Sequence, residues 1–229
     1  MSTLRSQPAP ARAAPARHRR ARRQTSRGQG LVEFSLVIPI FLVVMMGIFE
    51  FGFLFNGLLS INFATRDAAL IAAEAGNDVG SDCVILEKIE QDVTAPANPA
   101  NISQVQIYWT DDNGQLLDTT GAVYTGSGDT QAVNTYTRTG STTCTFVDGT
   151  TLTVPYTLQG TANYPTTARC NDIQGTTEGC QAGHTGLDTI AVQVTYSDTW
   201  RTPLHNLIGL MGTGWTVTQS NQMRMEPVL

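Results

Sequence analysis

The sequence is short of charged residues, and their two signs are unevenly distributed. Asp, Glu, Lys and Arg make up 14% of its 229 residues, against about 25% in an ordinary soluble domain. No acidic residue precedes Gly28, whereas eight of the 14 basic residues do, so the rest of the chain carries six basic and 19 acidic residues. This split excludes a uniformly basic nucleic-acid-binding protein, because the acidic body would repel phosphate.

Large apolar side chains are almost absent from residues 1–28, which are rich in Pro, Ala and Arg. Such a segment cannot bury enough surface to offset the entropy of ordering, so the sequence predicts a disordered basic leader. Arginine clusters of this kind are found in nucleic-acid tails, in contacts with anionic lipid and on the cytoplasmic flank of membrane spans. The segment that follows decides among these three.

Charge is nearly absent from the next segment, which is apolar on every face. Between Leu31 and Leu59 only Glu33 and Glu50 are charged, and the uncharged stretch of 16 residues between them gives about 24 Å of helix. A few more residues at either end reach across the roughly 30 Å core of a bilayer. The sequence predicts a single transmembrane helix over residues 29–59, with the basic N-terminus in the cytoplasm and the remainder outside.

Two other interpretations of this segment fit less well. A buried core helix of a soluble protein is rarely apolar all round at this length. A cleaved secretory signal peptide also places a basic region before an apolar one, but here the apolar region is longer than usual and no small-residue cleavage site follows it.

Small and apolar residues at spacings of three and four continue the helix past the span as an amphipathic stem over residues 60–77. The members are Ile48, Phe51, Phe55, Leu58, Ile61, Thr65, Ala68 and Ala72. The helix should end near Gly76 and Asn77, which can supply a left-handed cap. Pro39 lies inside it, where a kink or a lost hydrogen bond is expected.

Residues 78–229 change from helical to alternating periodicity. A short helix is possible over residues 84–92. Strands are predicted through Val105–Trp109, through Ile190–Tyr196 and around Trp215. Turns are predicted at residues 112–114 and 148–149. A Thr- and Gly-rich region, residues 118–168, separates the first strand from the last ones. The predicted fold class is α+β: a long N-terminal helix followed by a small antiparallel, β-rich extracytoplasmic domain with long loops.

Cysteine is absent from the leader and the span. Four Cys follow, at positions 83, 144, 170 and 180, and an even number on the oxidising side of a membrane favours disulfides. One of the three possible disulfide connectivities pairs Cys170 with Cys180 and Cys83 with Cys144. No metal-ligand spacing, cofactor motif or catalytic constellation is present, so we expect neither a metal nor a cofactor, and no enzymatic activity.

The junction between leader and span carries the most informative motif, Gly28-Gln29-Gly30-Leu31-Val32-Glu33-Phe34. A carboxylate at the start of an apolar span is costly, so Glu33 is expected to have a function. If the chain is cut after Gly28, Glu33 becomes the fifth residue, and in a helical assembly it can pair with the α-amino group of a neighbouring subunit.

This junction, the span and the INFATRDAALIAAEAG stretch that follows resemble the N-terminal region of TadE-like proteins, the minor pilins or pseudopilins of the tight-adherence (Flp-type) pilus. The resemblance covers residues 27–76, and residues 220–227 are similar to the family's usual end. It implies cleavage by a prepilin peptidase between Gly28 and Gln29, with Glu33 and Phe34 as the recognition and assembly pair. The residues implied in helix assembly are Glu33, Pro39, Glu50 and Arg66.

The function expected from this resemblance is that of a minor pilin or pseudopilin, anchored in the cytoplasmic (inner) membrane, that takes part in pilus assembly for adhesion. Its partners would be the lipid bilayer, the prepilin peptidase and other pilus subunits, with no nucleic acid. The alternative is an uncleaved, membrane-tethered adhesin or receptor whose Thr-rich head contacts a sugar or a host surface.

Overall fold

A computed structural model describes residues 28–126, 128–172, 186–203 and 212–227, together with residues 180, 184, 206 and 209. The predicted leader lies outside the described residues except for Gly28. The fold class is confirmed: a long apolar N-terminal helix precedes antiparallel sheets, with a second helix between them.

Helix α1 spans Gln29–Ala75, 47 residues, and is continuous through Pro39. It begins directly after Gly28 and ends just before Gly76, close to the end that the sequence predicts. The chain divides into two compact units between Leu42 and Val43. The described part of the first unit, residues 28–42, is the N-terminal part of α1, and the second unit contains the rest of α1 and all of the sheets.

The second unit has a five-stranded antiparallel sheet in the order β5-β2-β1-β6-β7. The strands are β1 (Ile102–Thr110), β2 (Val133–Thr137), β5 (Thr157–Leu158), β6 (Thr189–Thr199) and β7 (Gly214–Arg224). A separate hairpin pairs β3 (Thr142–Thr145) with β4 (Thr151–Val154) around the predicted turn at Asp148 and Gly149. Four of the seven strands in the described part of the chain, β2 to β5, therefore come from the Thr-rich region.

The core lies between the inner face of the five-stranded sheet, the C-terminal part of α1 and helix α2 (Ser81–Asp92). Alternate residues of β6, among them Ile190, Val192 and Val194, are fully buried. Apart from one isoleucine, the α1 face in this core is made of alanines, which let the helix lie close to the sheet. Its members are Ile61, Ala64, Ala68, Ala69 and Ala72.

The predicted stripe on the stem is buried only in part. Thr65 and the small residues after it are buried, but Phe51 and Phe55 near its start are exposed. Glu50 and Gly57 occupy the buried face there instead. The spacing identified the helix correctly, but bulky apolar residues on both sides of this segment concealed which side faces the sheet.

Candidate processing and assembly site

The predicted cleavage site lies at the first turn of α1. The backbone carbonyl of Gly28 accepts a hydrogen bond from Val32 N at 3.2 Å, which closes the first helical turn. The side-chain amide of Gln29 donates to the Glu33 carboxylate at 3.0 Å. Glu33 is exposed and lies one turn from the amide that would become the new N-terminus, so its carboxylate and that terminus would lie on the same side of the helix.

The helix surface after Glu33 is apolar and uncovered. The side chain of Phe34 is 64% exposed and that of Leu36 is 68% exposed, and most of the large apolar residues up to Phe49 are exposed to a similar degree. Among the described residues α1 is the one helix long and apolar enough to cross a membrane, with a mean hydropathy of 2.5 in its most apolar window. An uncovered apolar surface of this kind requires lipid or another apolar helix around it.

Glu50, the second acid of the helix, is held by the C-terminal part of the chain. Its carboxylate is buried and accepts hydrogen bonds from the backbone N–H groups of Arg201 at 2.7 Å and Thr202 at 2.9 Å. The Arg201 guanidinium lies 5.3 Å from the ring centre of Phe53 and donates to the carbonyl of Pro96 at 2.6 Å. The segment after β6 is thus fixed on α1 at Glu50.

Three further contacts fasten the sheet to α1 beyond Glu50. A β-carbon added at Gly57 would lie 3.0 Å from the Trp215 ring, closer than an ordinary van der Waals contact, so glycine permits this close approach. The Asn221 side-chain amide donates to the Thr65 hydroxyl at 2.6 Å. Farther along, the carbonyl of Ala73 accepts from the backbone N–H of Glu226 at 2.9 Å.

The residues implied in helix assembly occupy different environments. Glu33 and Pro39 lie on the uncovered part of α1, Glu50 is buried against the segment after β6, and Arg66 is exposed on the helix. No ion pair to Arg66 occurs within the described residues. The structure does not bring these four residues together within one chain.

Residues 28–70 match the family model described as TadE-like protein. The match confirms the resemblance that the sequence predicts, and it indicates a protein associated with the Tad pilus. Every residue of the implied processing and assembly set, from Gly28 to Arg66, lies within the matched TadE-like segment. No curated protein and no solved structure matches the chain.

A buried polar cluster joins the sheet-containing part of the chain to the end of α1, and it was not predicted from the sequence. Arg169 is fully buried; its guanidinium donates to the Gly76 carbonyl at 2.6 Å and to the Asp82 carboxylate at 2.5 Å. Asp82 also accepts from the Asn134 amide and the Tyr136 hydroxyl, at 2.9 and 2.6 Å. Burial, followed by the nearby Asp82 charge, raises the pKa of Tyr136, so the phenol stays protonated and donates.

A second buried group involves His184, which belongs to no catalytic or metal-ligand motif in the sequence. Its ring stacks on Trp109 with 3.9 Å between centres, and its Nδ1 lies 2.6 Å from Asp188. The other Asp188 oxygen accepts from the Tyr164 hydroxyl and the Cys170 N–H, at 2.8 and 3.0 Å. This satisfied carboxylate supports the fold around residue 170 and presents no nucleophile for the histidine to activate.

The four cysteines form two disulfides, Cys83–Cys144 and Cys170–Cys180. This is one of the three connectivities that the sequence left open. The first disulfide joins α2 to β3, and the second joins residues 10 positions apart. In the described part of the chain no cluster of three or more His, Cys, Asp or Glu side chains could hold a metal ion.

Proposed function

We propose that this protein is a membrane-anchored minor pilin or pseudopilin of a tight-adherence pilus, cleaved between Gly28 and Gln29 by a prepilin peptidase. The observation that carries the proposal is the TadE-like match over residues 28–70, which contains both the cleavage motif and the apolar helix. The proposed role is in assembly and not in catalysis. The protein would be located in the cytoplasmic membrane, with its β-rich domain outside the cytoplasm.

The first turn of α1 supports the assembly role of Glu33. Its carboxylate is exposed, and its one side-chain contact in the described chain is the Gln29 amide. After cleavage the α-amino group of Gln29 would carry a positive charge at the start of the same helix. An ion pair between Glu33 and the terminus of a neighbouring subunit gains strength from the low dielectric of a membrane or of packed helices.

The contacts at Glu50 support a shorter membrane segment than residues 29–59. Glu50, Arg201 and Asp198 lie together, with the Arg201 guanidinium 3.3 Å from the Asp198 carboxylate. Placing this cluster in hydrocarbon would cost several kcal/mol. We therefore place the outer boundary of the bilayer before Glu50, which leaves the uncharged residues 34–49 in the membrane.

The test is the N-terminus of the protein extracted from membranes of cells with an active prepilin peptidase. Mass spectrometry should find a chain that begins at Gln29. Gly28→Leu should abolish cleavage, whereas the matched control Gly30→Leu should still be cut. An added β-carbon meets no other atom within 4 Å at either glycine, so a difference between the two variants would report on the peptidase. An intact leader in the unaltered protein would contradict the proposal and favour an uncleaved, tethered adhesin.

Assembly is tested separately from cleavage. Glu33→Gln should lower the number of pili on the surface relative to the amount of cleaved protein, since the amide cannot form an ion pair. Unchanged piliation with this variant would refute the role of Glu33 while leaving cleavage at Gly28 intact.

A further inference from the structure

The outer face of the five-stranded sheet lacks charge over three complete cross-strand rows. The first row is Thr135, Gln106, Gln193 and Ser220; the second is Val133, Tyr108, Ala191 and Gln222; the third is Thr137, Gln104, Thr195 and Thr218. None of the twelve side chains is ionisable near neutral pH, although the chain as a whole carries 19 acidic residues. A surface of hydroxyl and amide groups without charge has no electrostatic attraction for nucleic acid or for anionic lipid.

Tyr108 is the one aromatic side chain in these three rows, and it is only partly buried. Ala191, the β6 residue opposite Tyr108, is 2% exposed although it belongs to the outer face, so neighbouring side chains cover it. The Tyr108 ring provides an apolar platform within a polar surface.

Glutamine amides border this platform in a groove. The groove is lined by Gln106, Gln193 and Tyr108 of the sheet and by Leu116 and Gln131 of the β1–β2 connection. The Gln193 amide donates to the Gln106 carbonyl oxygen at 2.9 Å, and the Gln106 amide donates to Thr135 at 3.2 Å. This series of hydrogen bonds orients the side-chain amides. It leaves the side-chain carbonyl oxygen of Gln193 and the side-chain amide of Gln131 without a hydrogen-bonding partner among the described residues, so both are available to a ligand.

The chemistry of the groove selects among possible occupants. A stable protein interface needs a larger apolar centre with several aromatic or Arg anchors, and this groove offers one ring. Neutral sugars match it, because a pyranose presents an apolar C–H face to an aromatic ring and vicinal hydroxyls to amides. The uncharged rows continue beyond the groove, so an extended chain has further hydroxyl and amide contacts.

We propose that the outer sheet face, centred on Tyr108 and Gln193, binds a neutral polysaccharide chain. The proposal does not rest on the pilus assignment, because it is drawn from the sheet of the second unit and not from α1. It would give the extracytoplasmic domain a polymer to contact, in a cell envelope or on a colonised surface.

The test uses the full-length protein in phosphatidylcholine nanodiscs, with binding of dextran, a β-1,3-glucan and a galactomannan measured by biolayer interferometry. Polyanionic alginate serves as the charged comparison. At least one neutral polymer should bind saturably, with an affinity that added NaCl leaves unchanged. Tyr108→Ala and Gln193→Ala should each weaken that binding about tenfold, the effect of losing one good contact.

Two variants separate binding from folding. Tyr108→Phe keeps the platform and should retain most of the binding, and Thr216→Ala, exposed on the same face outside the groove, should leave it unchanged. Absence of binding to all three neutral polymers would overturn the proposal, as would equal binding by Tyr108→Ala and the unaltered protein. Preferential binding of alginate, or self-association abolished by Gln193→Ala, would overturn it in favour of a charged polymer or a second copy of the chain.

Discussion

Glu50 shows how a single carboxylate decides where the head meets the helix. It occupies the same face of α1 as Gly57 and Ala64, where an apolar residue would be expected, yet its two oxygens accept from two backbone N–H groups of a segment about 150 residues later in the chain. A buried carboxylate with such partners is stable in place, and its removal leaves those donors without acceptors.

Glu50→Ala should therefore loosen the segment around Arg201 from α1. Each orphaned N–H costs about 1–3 kcal/mol, and each kcal/mol lowers the melting temperature of a chain this size by about 2–4 °C. The melting temperature in detergent measures the effect. Glu74 is an exposed acid on the same helix, so Glu74→Ala is the matched control and should melt like the unaltered protein. Equal melting temperatures of the two variants would contradict a stabilising role of the Glu50 hydrogen bonds.

Asp148 stabilises the turn between β3 and β4 through hydrogen bonds to a residue two positions away. Its carboxylate accepts from the Thr150 hydroxyl at 2.6 Å and from the Thr150 N–H at 2.9 Å. These bonds, the hydroxyl first, hold the pKa of Asp148 below its usual value of 3.8. Because the pKa is lower in the folded state, the stabilisation is present above the unfolded pKa and is lost as the pH falls through the folded one.

Thr150→Val removes the hydroxyl donor and should raise the pKa of Asp148 toward its usual value. Carboxyl carbon chemical shifts followed by NMR through an acid titration report the change. Asp118, whose pKa is also lowered by a neighbouring Thr hydroxyl, that of Thr120, is an internal reference that should titrate unchanged. A titration of Asp148 that does not respond to the substitution would show that backbone N–H groups alone set its pKa.

Among the elements, the two disulfides close loops of very different length. Cys83 and Cys144 are 61 positions apart and Cys170 and Cys180 are 10 apart. In the loop-entropy account, the longer closure removes more freedom from the unfolded chain, by about 1.6 kcal/mol at 25 °C. The longer disulfide also holds the β3–β4 hairpin, which lies outside the five-stranded sheet, against α2.

Replacing Cys83 and Cys144 together by Ala should consequently destabilise the protein more than replacing Cys170 and Cys180 together. Chemical denaturation of the two double variants in the same detergent measures the difference in unfolding free energy. Limited proteolysis should also cut the first variant within the hairpin before the rest of the sheet. A larger loss from the Cys170 and Cys180 pair would mean that native contacts around residue 170 outweigh loop entropy.

The secondary structure could be predicted where the pattern is local. The apolar run and the glycine after Ala75 mark α1, although Gly76 does not adopt the left-handed conformation expected of a cap. The alternation from Ile190 to Tyr196 defines β6. The Thr-rich region concealed its strands, because Thr is compatible with both strand and loop. In β2 the buried residues alternate, but they are only Asn134 and Tyr136, and one of them is polar, so no hydrophobic period is visible in the sequence.

The candidate site was predictable in its N-terminal part only. The motif from Gly28 to Phe34 is contiguous, so spacing alone defines it. The partners of Glu50 and the buried Arg169 were not predictable, since Arg is rarely buried and its partner Asp82 lies 87 positions away. A lone Arg in a Thr-rich stretch carries no local sign that it packs against the end of a helix.

At the scale of the whole molecule, the bilayer boundary that we propose before Glu50 can be tested directly. Ile48 and Phe51 lie on either side of Glu50 and are equally uncovered, 60% and 61% exposed. All four natural cysteines are in disulfides, so one added cysteine provides a unique thiol. In proteoliposomes a membrane-impermeant maleimide should label Phe51→Cys but not Ile48→Cys.

Phe63→Cys, 59% exposed and beside the sheet, is the positive control for labelling. Protection of both Ile48→Cys and Phe51→Cys, with labelling only at Phe63→Cys, would move the boundary toward residue 59, the end of the span expected from hydropathy alone. Labelling at all three positions would mean that the helix does not occupy the bilayer up to Glu50.

The attachment of β7 to α1 also sets an order of events during synthesis. The residues that contact Gly57, Thr65 and Ala73 of α1 belong to β7 or follow it, more than 150 positions later in the chain. Until β7 has been synthesised, Gly57, Thr65 and Ala73 lack these contacts, and the apolar side of the stem beside them is less covered. Any protein that covers this face during synthesis must therefore release it only after β7 is available to pack there.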